Sequence, residues 1–283
     1  MKEIGTAAQW NTNFEPIRPL GKGGYGTVWL CRELSTNLLR AVKTIRDDKI
    51  RNRGWCEERQ DYLPNEILLW ENLDHPHIVS LVAVYLDLDA SLWYLVMEYH
   101  PGFVELFGHI NKVEYVDNRE AANIIRQLVS TVYYLTVQNV DHRDLKDENI
   151  LYNPTTQQIK LIDFGSSEEL SHDAYNKFRG TDVFIPPEFY LTGQYYPFGA
   201  TVWAIGCIAY VLLYGDSPFQ NRDAVTKFLS LDVLEPVCAG DRTLRLNFLR
   251  SCMKRDPEQR ILLSDLIRHP WLRPDQGAWL RRK

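Results

Sequence analysis

The octet His142-Arg143-Asp144-Leu145-Lys146-Asp147-Glu148-Asn149 places an acid, a cation and a neutral amide at fixed spacing in one short stretch. That set suits transfer of a phosphoryl group to a hydroxyl, where positioning and charge stabilisation outweigh covalent chemistry. Asp144 can orient an acceptor hydroxyl and take its proton, and Lys146 can offset charge on the moving group. Asn149 can offer magnesium a neutral oxygen, and Asp163, in Asp163-Phe164-Gly165, the hard anionic oxygen that magnesium prefers. Any two of these residues would pass as a polar loop or a turn; the full set in this order does not.

Upstream, Gly21-Lys22-Gly23-Gly24-Tyr25-Gly26-Thr27-Val28 matches G-x-G-x-x-G-x-V. A dinucleotide-binding turn would continue into a helix. Here residues 27–31 are β-prone, and a lysine follows on the next strand, within Ala41-Val42-Lys43. Strand, glycine loop, strand and lysine read as a flexible cover over phosphates, because glycine lets backbone amides approach phosphate oxygens unobstructed. An ammonium among Ala41, Val42 and Ile45 needs an anionic partner, and Glu66 on the following helix is the candidate.

These groups need a scaffold. The first hundred residues are strand-rich, at 27–32, 40–45, 78–85 and 92–98. One helix interrupts them from about Pro64, carrying Glu66, Ile67, Trp70 and Leu73. Pro and Gly in Glu98-Tyr99-His100-Pro101-Gly102 mark a connector. Beyond it the pattern turns helical, with Asp117 as a cap and Glu120 placed as in a capping box. An apolar helix from about Thr201 stops at Gly215, and its apolar run at 202–214 is too short to span a bilayer. The expected fold is α+β and bilobal: an extension at 1–13, a β-rich lobe at 14–98, a hinge at 99–105, a helical lobe at 106–272 and a tail at 273–283.

Together these motifs resemble a eukaryotic-type serine/threonine protein kinase domain over nearly the whole chain. Pro186-Pro187-Glu188 stands where that family has Ala-Pro-Glu, and Arg260 is placed to pair with Glu188. Lys146 speaks for serine and threonine acceptors. The runs at 142–151, 161–166 and 180–188, with Gly215-Asp216-Ser217-Pro218-Phe219, are similar to the PIM kinases and next to the PAS-domain kinases. The resemblance implies ATP and magnesium as cofactors. It implies an adenine pocket of Leu20, Val28, Ala41, Met97, Leu151 and Ile162, with the Glu98 carbonyl and His100 N–H facing adenine. Most kinases carry aspartate before Val-Trp in the buried helix; Thr201 stands there, as a neutral residue does in PIM-like kinases, so the catalytic loop needs other support.

The resemblance also implies activity without activation-loop phosphate, with Arg143 engaged by one of the nearby acids Glu168, Glu169 or Asp173. Glu105, Asp147, Glu148, Asp216 and Asp223 fall near positions that bind arginines preceding the acceptor, so basic protein or peptide substrates are expected. Residues 178–181 are expected to shape the floor beside the acceptor hydroxyl. The rival reading is a pseudokinase, a nucleotide-binding scaffold; such proteins typically lack one of the residues standing here as Lys43, Asp144, Asn149 and Asp163.

Composition sets the outer bounds. The 283 residues carry 32 basic and 37 acidic side chains, a net charge of −5, which argues against nucleic acid as the main ligand. Five scattered cysteines without a C-x-x-C pair favour a reducing compartment. With no apolar leader-like segment at the N-terminus, a cytoplasmic or nuclear monomer away from membranes is expected.

Overall fold

The computed structural model describes residues 3–23, 26–113, 116–227 and 242–273. Gly24, Tyr25 and Cys238 lie outside them, and Lys22 and Gly23 are described by backbone alone. The chain divides into two units, Met1–Pro101 and Gly102–Lys283.

The first unit contains β1 (Ile4–Thr6), α1 (Ala7–Asn13), β2 (Phe14–Gly23), β3 (Gly26–Glu33), β4 (Leu39–Arg46), β5 (Arg53–Cys56), β6 (Asp61–Pro64), α2 (Asn65–Trp70), β7 (Leu81–Asp87) and β8 (Leu92–Glu98). Six strands pair in the order β1-β7-β8-β4-β3-β2, while β5 and β6 form a separate hairpin. Alternation along β4 sorts its side chains between two faces. Val42, paired with Val96, packs with Trp10, Phe14 and Cys31; Ala41 and Lys43 sit opposite Met97 and Leu95. Of the first residues, β1 joins the sheet parallel to β7, and α1 packs on it through Trp10, which stacks on Phe14 at 4.7 Å and Tyr94 at 4.4 Å.

Two expected boundaries shift. The strand expected from 78 begins at Leu81, because the Ile78 N–H is held in a turn by the His75 carbonyl and the Val79 carbonyl takes the Trp70 indole at 2.6 Å. The helix expected from Pro64 has that proline as its cap and ends at Trp70. Leu73 N–H bonds the Trp70 carbonyl, three residues back, which tightens the last turn and leaves Leu73 beyond the α-helix.

The second unit runs through β9 (Val104–Glu105), α3 (Leu106–Val113), α4 (Asn118–Val137), β10 (Val140–Asp141), β11 (Ile150–Asn153), β12 (Gln158–Leu161), β13 (Glu168–Glu169), α5 (Pro187–Thr192), α6 (Pro197–Tyr214), α7 (Arg222–Lys227), α8 (Arg242–Cys252) and α9 (Leu263–Leu266). Asp117 caps α4 by accepting from Arg119 N–H at 2.8 Å and Glu120 N–H at 3.2 Å. The Glu120 carboxylate meets Tyr152 and His109 instead of closing a box. Helix α6 begins four residues before Thr201, with Pro197 at a position where its missing N–H costs nothing, and ends at Gly215 with φ of 76°. Its 18 residues match a membrane span in length and apolarity, yet 67% of them are buried inside the fold. The fold is α+β, a sheet-rich unit followed by a helical one.

Candidate active site

In the first unit the β3–β4–β8 ladder sets Val28 beside Lys43 and Lys43 beside Leu95. Lys43 Nζ donates to Glu66 Oε1 at 2.6 Å, both residues being 8% exposed. Glu66 reaches it from the first turn of α2, so a strand lysine and a helix acid share one buried site. The glycine loop is the β2–β3 turn, with Gly21 opposite Val28 and Gly23 opposite Gly26. A Cβ on Gly26 would lie 1.7 Å from the Thr44 carbonyl oxygen, so packing alone demands glycine there. At Gly21 a Cβ would meet nothing within 4 Å; packing gives no reason for glycine, whereas close approach of a ligand does. Ala41 and Met97 are buried and paired, and Leu20 is exposed. His100 Nε2 lies 3.2 Å from Glu98 Oε2.

In the second unit, residues 142–149 form the connection from β10 to β11. Lys146 Nζ lies 3.0 Å from Asp144 Oδ2 and donates to the Thr181 hydroxyl at 2.8 Å. Thr181 in turn donates to Asp144 Oδ1 at 3.4 Å. The Asn149 amide nitrogen donates to the Asp144 carbonyl at 2.8 Å and to Oδ2 at 3.1 Å, which leaves its amide oxygen as the donor atom suited to a cation. The β11–β12 hairpin pairs Ile150 with Leu161, and the Ile162 N–H bonds the Asn149 carbonyl at 3.0 Å. Asp163 therefore follows directly on the residue bonded to Asn149. No group of three or more His, Cys, Asp or Glu gathers among the described residues. One carboxylate and one amide fit magnesium that takes its other oxygens from phosphates and water rather than from a protein cage. Leu151 lies on β11 and Ile162 just beyond β12.

His142 lies beneath this loop, 2% exposed. Its Nδ1 accepts the Asp144 N–H at 3.4 Å and its Nε2 meets the Ile162 carbonyl at 3.1 Å. Burial holds its pKa below the ordinary value, so a neutral ring joins the two halves of the site.

The protein kinase domain family matches residues 14–272. The chain belongs to that family. It is an enzyme of the protein serine/threonine kinase class. Serine/threonine-protein kinase pim-2 of Danio rerio is 30% identical over 268 residues, spanning 89% of this chain and 82% of the relative. Death-associated protein kinase 2 of Mus musculus is 33% identical over 279 residues, covering 93% and 73%. The PAS domain-containing serine/threonine-protein kinase of Mus musculus is 32% identical over 266 residues, which is 93% of this chain and 19% of that protein. Kinases of this family use ATP, typically with magnesium.

In this kinase the Arg143 guanidinium is paired with Glu168 of β13 and donates to the Lys177 carbonyl at 2.8 Å and the Tyr195 hydroxyl at 3.1 Å. Of the three acids near Arg143 that the sequence offered, Glu168 is the one brought to it. Arg260 makes a two-pronged contact with Glu188, at 2.8 and 2.6 Å, and its guanidinium lies 5.0 Å from the centre of the Trp203 ring. Thr201 lines two small cavities under the catalytic loop, together with Asp141 and Leu145. Phe178, Gly180 and Thr181 line the first of these with Asp144.

The acids expected to hold arginines are placed differently from one another. Glu105, Asp216 and Asp223 are exposed. Asp216 accepts the Ser217 N–H at 2.7 Å, and Asp223 is paired with Lys227 at 2.9 Å. Asp147 is buried, 5% exposed, and its pKa is raised to about 7 by burial and then by Glu148. Glu148 beside it is half-buried. Sequence reasoning passed over Asp141, a carboxylate 6% exposed at the end of β10. No sequence signal marked it, since an acid just before a polar loop is ordinarily solvated.

Proposed function

We propose that this kinase transfers the γ-phosphoryl group of magnesium-ATP to serine and threonine hydroxyls in basic segments, favouring arginines before the acceptor. The observation that carries the chemistry is the Asp144 cluster, in which Lys146, Thr181 and Asn149 all contact one carboxylate. A carboxylate held from three sides can orient a hydroxyl and accept its proton without spending motion on the step. Lys146 offsets charge that develops on the transferred group. Magnesium, when bound, neutralises charge on the phosphate oxygens, and Asp163 and Asn149 are the residues that would hold it. Lys43, fixed by Glu66, is assigned to the phosphates, as is the glycine-rich stretch that begins at Gly21. Adenine contacts are assigned to Leu20, Val28, Ala41, Met97, the Glu98 carbonyl and His100 N–H in the first unit, and to Leu151 and Ile162 in the second.

We further propose that activity needs no activation-loop phosphate. The Arg143–Glu168 pair supports this, because a carboxylate already meets the guanidinium that a phosphate would otherwise engage. Enzyme treated with phosphatase should keep its turnover; loss of nearly all activity would reject the reading. Exposed Glu105 and Asp216 are the best-placed acids for an incoming arginine, through forked contacts that lysine cannot reproduce. A peptide library with no preference for upstream arginine would reject that part. A reducing, cytosolic or nuclear setting is in keeping with the buried thiols of Cys31, Cys207 and Cys252, and a monomer is proposed.

A further inference from the structure

Asp141 is the last residue of β10 and stands opposite Glu168 in the β10–β13 pair. Both residues of β10 are buried, and a carboxylate in such a place is retained at a cost unless it has partners. Its partners are specific. The carboxylate turns back on the backbone N–H of Arg143, two residues on, and faces the Arg143 guanidinium. The Tyr175 hydroxyl stands within reach of it, its single proton shared between this carboxylate and the Glu169 carbonyl at 3.3 Å. Arg143 has a φ of 64°, in the left-handed region that side chains rarely adopt, and it directly precedes Asp144. Such a conformation persists where its surroundings over-determine it.

Asp141 and Thr201 line the same two cavities, one of which also includes Arg143 and Asp144. The loop is thus underlain by an acid from β10 and a neutral hydroxyl from α6. We propose that Asp141 is a positioning residue for Asp144: its ionised carboxylate fixes the Arg143 main chain and so supplies from β10 the anionic brace that α6 lacks at Thr201.

The charged and titratable groups around Asp141 are Arg143, Glu168, Tyr175 and Tyr195, with Arg179 3.7 Å from Glu168 beyond them. Two acids therefore face two arginines. Burial raises the Asp141 pKa to about 6, and Arg143 opposes the rise. The brace is charged at pH 7.5 and neutral near pH 5.

The inference rests on phosphoryl transfer by the wild-type chain, so the 283-residue chain is assayed with magnesium-ATP and an arginine-bearing peptide. Asp141→Asn keeps the shape and removes the charge. Its kcat should fall roughly ten- to a hundredfold, the size of effect that a small misplacement of a reacting group produces. Its KM for ATP should stay within about twofold of wild type, because binding is not what the brace serves. The acid limb near pH 6 in the kcat profile should vanish, while any limb set by Asp147 remains in both enzymes. The variant should melt no lower than wild type at pH 7.5, since it discards a buried charge. Adding Thr201→Asp to Asp141→Asn returns an acid to the same cavities and should recover kcat several-fold. Unchanged kcat and acid limb in Asp141→Asn would overturn the proposal. So would a fall in kcat accompanied by a lower melting temperature and a raised KM for ATP, or a double variant no more active than the single one. A wild type no better than Asp144→Asn would instead remove the transfer reading itself.

Discussion

At the residue scale, the site is a set of buried charges held by named partners. Lys43 and Glu66 meet at 2.6 Å with little exposure, so Glu66→Ala should cost about 3–5 kcal/mol, the usual price of removing one member of a buried pair. Thermal melts check this, and a melting temperature equal to wild type would contradict it. Asp141 and Asp147 carry a second consequence. Burial lifts them to about 6 and about 7 from 3.8. Between about pH 4 and 7 the folded chain holds protons that the unfolded chain has released. These two groups therefore favour folding below about pH 4, and that contribution is lost progressively as pH rises from 4 to 7. Asp147→Asn should raise the melting temperature most at pH 8, less at pH 5, and leave it near wild type below about pH 4; a gain of equal size at all three would show that charge is not the cause. Sequence spacing made Lys43, Asp144, Asn149 and Asp163 legible because their types and order are improbable by accident. Asp141 was illegible because its importance lies in burial, and a lone acid before a polar loop gives no sign of burial.

At the scale of elements, short segments do much of the positioning. The two-residue strands β10 and β13 pair with each other, and this brings Glu168 to Arg143. Glu168→Gln should lower turnover severalfold at unchanged KM for ATP, read by steady-state kinetics, because it loosens the arginine next to Asp144. Turnover equal to wild type would detach that pair from catalysis. Glu188 on α5 and Arg260 after α9's preceding turn form the other buried pair, with the guanidinium over Trp203 of α6. Arg260→Ala should cost about 3–5 kcal/mol in chemical denaturation. Period and cap signals identified α4 and the end of α6 well. The start of α6 was missed because Pro197-Phe198-Gly199-Ala200 reads as a breaker, whereas proline is at home in a first turn. The short α2 and the late start of β7 depend on Trp70 and Ile78 contacts, which are tertiary and leave no periodic trace.

At the scale of the whole molecule, the sheet-rich unit carries Lys43 and the glycine-rich stretch, and the helical unit carries Asp144, Asn149 and Asp163. This division was legible because the change from strand-like to helical patterning coincides with Pro101-Gly102. Substrate choice was less legible, since exposed acids such as Glu105, Asp216 and Asp223 look alike in sequence while only the structure shows Asp223 already paired with Lys227. A net charge of −5 and exposed Glu105 predict that Glu105→Ala weakens selection of an upstream arginine more than it lowers kcat on a peptide lacking one. Everything above depends on Asp144. Phosphate incorporation from magnesium-ATP into an arginine-bearing serine peptide should fall roughly 10²- to 10⁴-fold in Asp144→Asn, the range that a positioned acid–base group supplies. Equal incorporation by wild type and Asp144→Asn would contradict the account.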